Sequence, residues 1–459
     1  MALRLRALSI GLTGAAAMAV VFAAGAVPAT TGCTTHQCDT SSTTFDGGFM
    51  VDDGDYVSSA QNQDWVDYPG EVTVHVLFPA GVTRMPTGVN VAIGTESSPN
   101  GGLDYQVGGD WTPGSGQLAL LGGMDTTGVY VTNGSCAHYW ARVWAVFPPV
   151  TVTAFGGLAN GAPLNDTWSW DGTQWQSQGG DQSTGPGPAA REMPTFLTLA
   201  HYKFLFGGFD PTQSAASNQG YALDTWTWDG ASWTQIYFPD FPDSYPSARA
   251  DTAAASLNGT AVMFGGHGFD ENGNVVDLGD TWTWDGVIGD AWALASTPPA
   301  ASPPARSGAS AATLGGAVIL FGGSSSGSPL GDTWSWDGTS WTQVSTGGPP
   351  PRFHASMVGL GTSILLFGGD SGAGELGDTW LWDGTSWTQQ TGSGPPARAQ
   401  AGAAAYKTSA LVFGGTQASN PQSDTWLWAG GVWSEQSGAA PPLRAGAAVA
   451  GTDLLGADY

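Results

Sequence analysis

Five arginines stand at a fixed distance from a glycine pair: Arg191, Arg249, Arg306, Arg352 and Arg398 each precede the first Gly of a Gly-Gly by 16 residues. Arg444 is a sixth of the same kind. A guanidinium offers a planar fork of N–H donors that matches a carboxylate or another oxyanion in bidentate fashion. The set could form an anion-binding ring, or it could serve the aspartates that recur beside it as a structural partner. One copy per repeat favours the structural role, with each arginine satisfying carboxylates or carbonyls inside the fold.

Other chemistry is sparse. The six histidines are His36, His75, His138, His201, His267 and His354, and no two have the spacing of a metal-binding pair. Cys33, His36 and Cys38 fall short of a closed metal site. Asp270-Glu271-Asn272-Gly273-Asn274 lacks the ligand spacing of a calcium loop and reads as a turn. There is no phosphate-binding loop. No catalytic residue, metal or cofactor is expected.

The elements that would position these residues are repeats. A phrase recurs six times: an apolar run, Phe-Gly-Gly, a loop, Asp-Thr-Trp-x-Trp, a turn, and a third Trp. Its Phe-Gly-Gly units begin at Phe155, Phe206, Phe264, Phe321, Phe367 and Phe413, and its aspartates are Asp166, Asp224, Asp280, Asp332, Asp378 and Asp424. Three Trp per repeat take up most of the 22 in the chain, so tryptophan here is chiefly a packing residue. Each phrase reads as four short strands. The apolar run is the second, the Asp-Thr-Trp-x-Trp segment the third, and Asp337-Gly338 a tight turn into the fourth at Trp341. A Pro-rich linker follows, and an arginine such as Arg306 or Arg352 opens the first strand of the next unit.

The double glycine after an apolar strand, with an aromatic strand closed by a Trp, resembles the kelch repeat over residues 150–459. That resemblance implies an all-β fold, a β-propeller of four-stranded blades used as an interaction platform. The first Phe-Gly-Gly lacks an arginine-led strand before it, whereas residues 441–449 supply such a strand with no Phe-Gly-Gly after it. The expectation is a six-bladed kelch-type propeller over 149–459, closed by the C-terminal strand. Residues 45–148 lack the phrase, and alternating runs such as 72–78 and 128–132 predict a small all-β, sandwich-like domain.

Charge and leader bound the setting. Twelve basic residues against 38 acidic ones give a net charge of -26, which disfavours nucleic acid and anionic membrane surfaces. Arg4 and Arg6 precede an uncharged stretch from Ala7 to Ala29, which reads as a signal peptide over 1–32 followed by a tether over 33–44. Thr30-Thr31-Gly32-Cys33 resembles a bacterial lipobox, with Thr30 where a branched aliphatic residue is usual. Lipidation at Cys33 and plain secretion both remain open, and any membrane association would run through that N-terminal lipid. Cys38 and Cys136 are then the expected disulfide.

Loop lengths break the repeat's symmetry. Nine residues separate the second Gly from the Asp in repeats four to six, against 16 in repeat two and 14 in repeat three. The linkers after Trp175, Trp233 and Trp292 are also longer than the later ones, and both loop sets leave the same end of an antiparallel blade. That face carries Phe209, Asp210, Tyr237, Phe238, Asp240, Phe241, Asp243, Tyr245, His267, Phe269 and Asp270. Aromatics mixed with acids on loops suit recognition of a protein or a glycan without catalysis. The alternative is a carbohydrate-active enzyme, a sugar epimerase or glycan hydrolase working at the channel mouth. Oligomeric state is not legible.

Overall fold

The computed structural model describes the strands of residues 42–146 and, from Val150 on, all residues except 179–186, 200–201, 214–217, 238–244, 287–290, 296–301 and 452–459. The chain divides into two compact units, Met1–Pro149 and Val150–Tyr459. In the first unit Ser42–Phe45, Thr73–Leu77, Gly128–Thr132 and Leu120–Met124 form one sheet in that order. A second sheet is built around Tyr139–Val146 and Gly88–Gly94. Cys33, Cys38 and Cys136 lie outside the described residues.

The second unit is all-β, with six four-stranded antiparallel sheets. The fourth is representative: Ser310–Leu314, Ala317–Phe321, Thr333–Trp336 and Trp341–Ser345 pair in chain order. The first sheet departs from chain order. Val152–Phe155 pairs on one side with Thr167–Trp170 and on the other with Ala448–Gly451, from the far end of the chain. The inner strands touch in cyclic sequence: Ala448–Gly451, Thr195–Leu199, Ala253–Leu257, Ser310–Leu314, Ser356–Gly359, Gly402–Tyr406, and Ala448–Gly451 again.

The repeated phrase becomes one repeated set of contacts. Arg306 donates from Nη1 and Nη2 to the two carboxylate oxygens of Asp332 (2.7 and 2.8 Å), from Nη1 to the Gly322 carbonyl and from Nε to the Pro304 carbonyl. Trp334 adds its indole N–H to the same carboxylate at 2.7 Å. The same fork joins Arg191 to Asp224, Arg249 to Asp280, Arg352 to Asp378 and Arg398 to Asp424. Arg444 makes it with Asp166, 278 residues away. All six guanidiniums are thus engaged inside the fold. Each arginine precedes its inner strand by a short turn rather than opening it, as Arg306 does ahead of Ser310–Leu314.

The double glycine is required by the next blade. Gly322 and Gly323 have φ of +67° and +95°, and a Cβ on Gly322 would lie 2.5 Å from the Arg352 carbonyl oxygen. That close approach allows the Gly323 N–H to donate to the same carbonyl at 2.9 Å.

The hydrophobic core lies in the seams between blades. The tryptophan that opens an outer strand packs on the Phe of the preceding blade's Phe-Gly-Gly, as Trp387 does on Phe321 at 5.3 Å between centroids. Its indole N–H donates to the Thr of that blade's Asp-Thr-Trp: Trp175 to Thr425, Trp233 to Thr167, Trp341 to Thr281, Trp387 to Thr333 and Trp433 to Thr379. The seam between the second and third blades differs. Trp292 packs on Phe206 at 5.7 Å, yet its Nε1 and the Thr225 hydroxyl are both buried without a hydrogen-bond partner. The third repeat carries three extra residues ahead of Trp292.

Candidate binding face and axial mouth

Between each arginine and its inner strand sits one residue in the left-handed region: Met193, Asp251, Gly308, His354, Gln400 and Gly446, with φ between +50° and +64°. Four of these are not glycine, and the conformation costs such a residue about 1–2 kcal/mol. A cycle of backbone hydrogen bonds holds them there. The Asp251 N–H donates to the Met193 carbonyl, Gly308 to Asp251, His354 to Gly308, Gln400 to His354, Gly446 to Gln400, and Met193 to Gly446, at 2.8–3.0 Å. The inner strands therefore start from a closed amide ring about the axis.

Side chains gather at that ring. His354 Nε2 meets Asp251 Oδ2 at 2.8 Å, across the intervening Gly308. A Cβ on Gly308 would sit 2.8 Å from His354 Cδ2 and 3.2 Å from Asp251 Oδ2, so glycine leaves the space in which the pair forms. Glu192 precedes Met193 and is only 9% exposed. Its carboxylate lies beside Gly446, where a Cβ would come within 3.4 Å of Oε2.

The electrostatics follow from this crowding. Burial, and then the like charge of Asp251, push the Glu192 carboxyl up to about 7, with His354 offsetting part of the effect. Burial works against the His354 imidazolium, but the Asp251 charge and hydrogen bond, with Asp370 and Glu192, outweigh it and raise its pKa. Two groups with raised pKa values thus sit at one end of the inner strands.

The mouth continues outward into the longer loops. Glu192 forms a β-bridge with Phe209, and Phe209 another with Tyr221. The Tyr221 ring lies 4.9 Å from Phe209, 5.8 Å from Phe269 and 6.1 Å from His267. His267 Nδ1 is 2.9 Å from Asp277 Oδ1, and Asp277 also accepts the Ser326 N–H from the next blade's loop. Burial, and then Asp251 and Asp277, raise the Tyr221 pKa.

The sequence-predicted residues divide accordingly. Phe209, His267 and Phe269 come together around Tyr221. Asp210 and Asp270 are engaged by their own loops. Asp210 accepts from the Thr212 backbone and hydroxyl, and Asp270 from the Asn272 and Asn274 backbones, which holds its carboxyl below the ordinary range. Tyr245 packs against the core of the second and third blades, and Tyr237 is 76% exposed. Phe238, Asp240, Phe241 and Asp243 lie outside the described residues.

Sequence reasoning missed Glu192, Tyr221, Asp251, Asp277 and His354. A signal existed for two of them, Asp251 and His354. Aligning the repeats on their arginines puts Met, Asp, Gly, His, Gln and Gly in one column two residues on, and this variation inside a constant phrase marks a position released from the scaffold. Among the described residues, no group of three or more His, Cys, Asp or Glu is placed to hold a metal ion.

Four-stranded sheets joined through repeated seams, with inner strands in cyclic contact, define a β-propeller-type fold. Residues 139–323 match the KLHDC2/KLHL20/DRC7 Kelch-repeats domain, and residues 305–348 match the Kelch motif. Both matches identify kelch repeats in this chain. No curated protein matches it.

Proposed function

We propose that the protein is a non-catalytic binding module that engages a protein partner through the loop face of its first three blades. The observation that carries this reading is the aromatic group Phe209, Tyr221, His267 and Phe269, set on the longest loops and contiguous with the axial Glu192–Asp251–His354 cluster. Aromatic side chains on rigidly based loops contribute large contact area at small entropic cost. Kelch repeats commonly mediate protein association, which supports a protein ligand. The leader over 1–32 and Cys33 support an extracytoplasmic setting, and the mass of the mature N-terminus tests it.

Alanine substitution tests the face itself. Phe269→Ala with His267→Ala should weaken capture of the partner about tenfold or more while the thermal melt stays near that of the parent. Undiminished capture by the double variant would refute the assignment.

A further inference from the structure

We propose that the axial mouth is a receptor site for a cationic nitrogen, the guanidinium or ammonium head of a basic segment in the protein partner. The inference rests on the binding-module reading and adds the chemistry of what is bound.

Three observations carry it. First, Glu192 is 9% exposed as a residue, and no hydrogen bond among the described residues contributes to its carboxyl's raised pKa. A carboxylate held in a crowded, largely buried residue gains from a donor. Glu192 Oε2 lies over Gly446 of the amide ring that also carries Asp251 and His354, and the Glu192 charge is coupled to both. Second, the countercharge is short. Glu192, Asp251 and Asp370 act on His354 together, and Tyr221 senses Asp251 and Asp277. His354 is the single cation among these groups, since Arg191, beside Glu192, is tied to Asp224. The five other repeat arginines are held in the same way, and Lys407 stands over the Tyr406 ring. Third, the absence of a Cβ at Gly308 and Gly446 lets the His354–Asp251 pair and the Glu192 carboxylate lie directly over the amide ring, which gathers the three groups at one end of the inner strands.

The occupant is argued from charge. A chain of net charge -26 steers basic partners toward itself, and a group of carboxylates with one imidazole fits a donor-only cation. A guanidinium or ammonium would give Glu192 a donor and favour its ionised form. Binding should therefore release a proton near neutral pH, and affinity should rise with pH. Deprotonation of His354 at higher pH acts in the same direction.

The probe is the N-acetylated, C-amidated tripeptide Gly-Arg-Gly, with a citrulline tripeptide as the uncharged isostere. The full chain is labelled with 13C at its glutamate carboxyls, and Glu192 is assigned by Glu192→Gln. Saturating arginine peptide should lower the Glu192 midpoint by about one pH unit or more, with binding weakening about tenfold per pH unit as the pH falls from the free to the lowered midpoint. Glu192→Gln should bind at least about tenfold more weakly and lose that pH dependence between about pH 6 and 8. The proposal is overturned if citrulline binds as well as arginine, if Glu192→Gln matches the parent, or if the Glu192 resonance ignores the peptide throughout. The parent protein's own pH profile keeps the test decisive should the variant fold poorly. Partner capture by the loop face without any arginine response would remove the axial site alone, whereas an arginine response without capture would remove the protein-partner reading.

Discussion

Arg306 shows how one side chain ties a blade together: its fork satisfies Asp332, the Gly322 carbonyl and the Pro304 carbonyl at once. Removing one member of such a buried pair leaves the other charge uncompensated, which costs about 3–5 kcal/mol. Arg352→Ala should therefore lower the melting temperature in every buffer, and a variant that melts like the parent would contradict the structural role. Burial raises the carboxyl of each partner aspartate, but the arginine fork, the indole N–H and the attached charge outweigh it and hold the pKa below 3.8. The folded state then binds fewer protons than the unfolded state in acid. Stability from these groups is present above about pH 4 and is lost as the pH falls through the lowered values. Glu192 has the opposite sign. Its folded pKa of about 7 lies above the ordinary 4.5, so its stability contribution is intact below pH 4.5 and lost as the pH rises through 7. Glu192→Gln should stabilise the protein at pH 8 by up to about 3 kcal/mol and change little at pH 4.5. Denaturant melts at the two pH values measure this, and equal effects at both would refute it.

At the scale of elements, the seam is the unit of construction. Thr281 accepts the Trp341 indole, whereas Thr225 in the corresponding place has no partner. Thr281→Val should cost about 1–2 kcal/mol, while Thr225→Val should be neutral or stabilising, because it removes a buried hydroxyl that is already unsatisfied. Equal losses in the two variants would contradict the seam assignment. The C-terminal strand Ala448–Gly451 completes the first sheet, and Arg444 serves Asp166. Deleting residues 441–459 should abolish the cooperative unfolding transition, and an unchanged melt would count against a closed ring. The strands were legible in the sequence because Phe-Gly-Gly and Asp-Thr-Trp-x-Trp carry their own geometry. Two matters were not. The phrase placed each arginine at the opening of a strand, but the left-handed residue two positions on varies in type from repeat to repeat, and the amide ring that holds it is a backbone feature that residue types do not reveal. The Trp292 seam was foreshadowed only by an insertion whose effect on the indole depends on three-dimensional packing.

For the whole molecule, constant residues build the scaffold and the departures from repetition gather at one face. Loop length pointed to the second and third blades, and Phe209, His267 and Phe269 do meet there. The axial residues escaped notice because Glu192, Asp251 and His354 are dispersed over three repeats and converge only when the inner strands come together. The most direct measurement is photo-cross-linking on intact cells, with benzoylphenylalanine at Tyr237 on the loop face and at Thr385 in a turn at the opposite end of the blades. The binding-module account predicts one dominant protein adduct from Tyr237 and none from Thr385. Equal labelling from both positions, or no protein adduct from Tyr237, would contradict it.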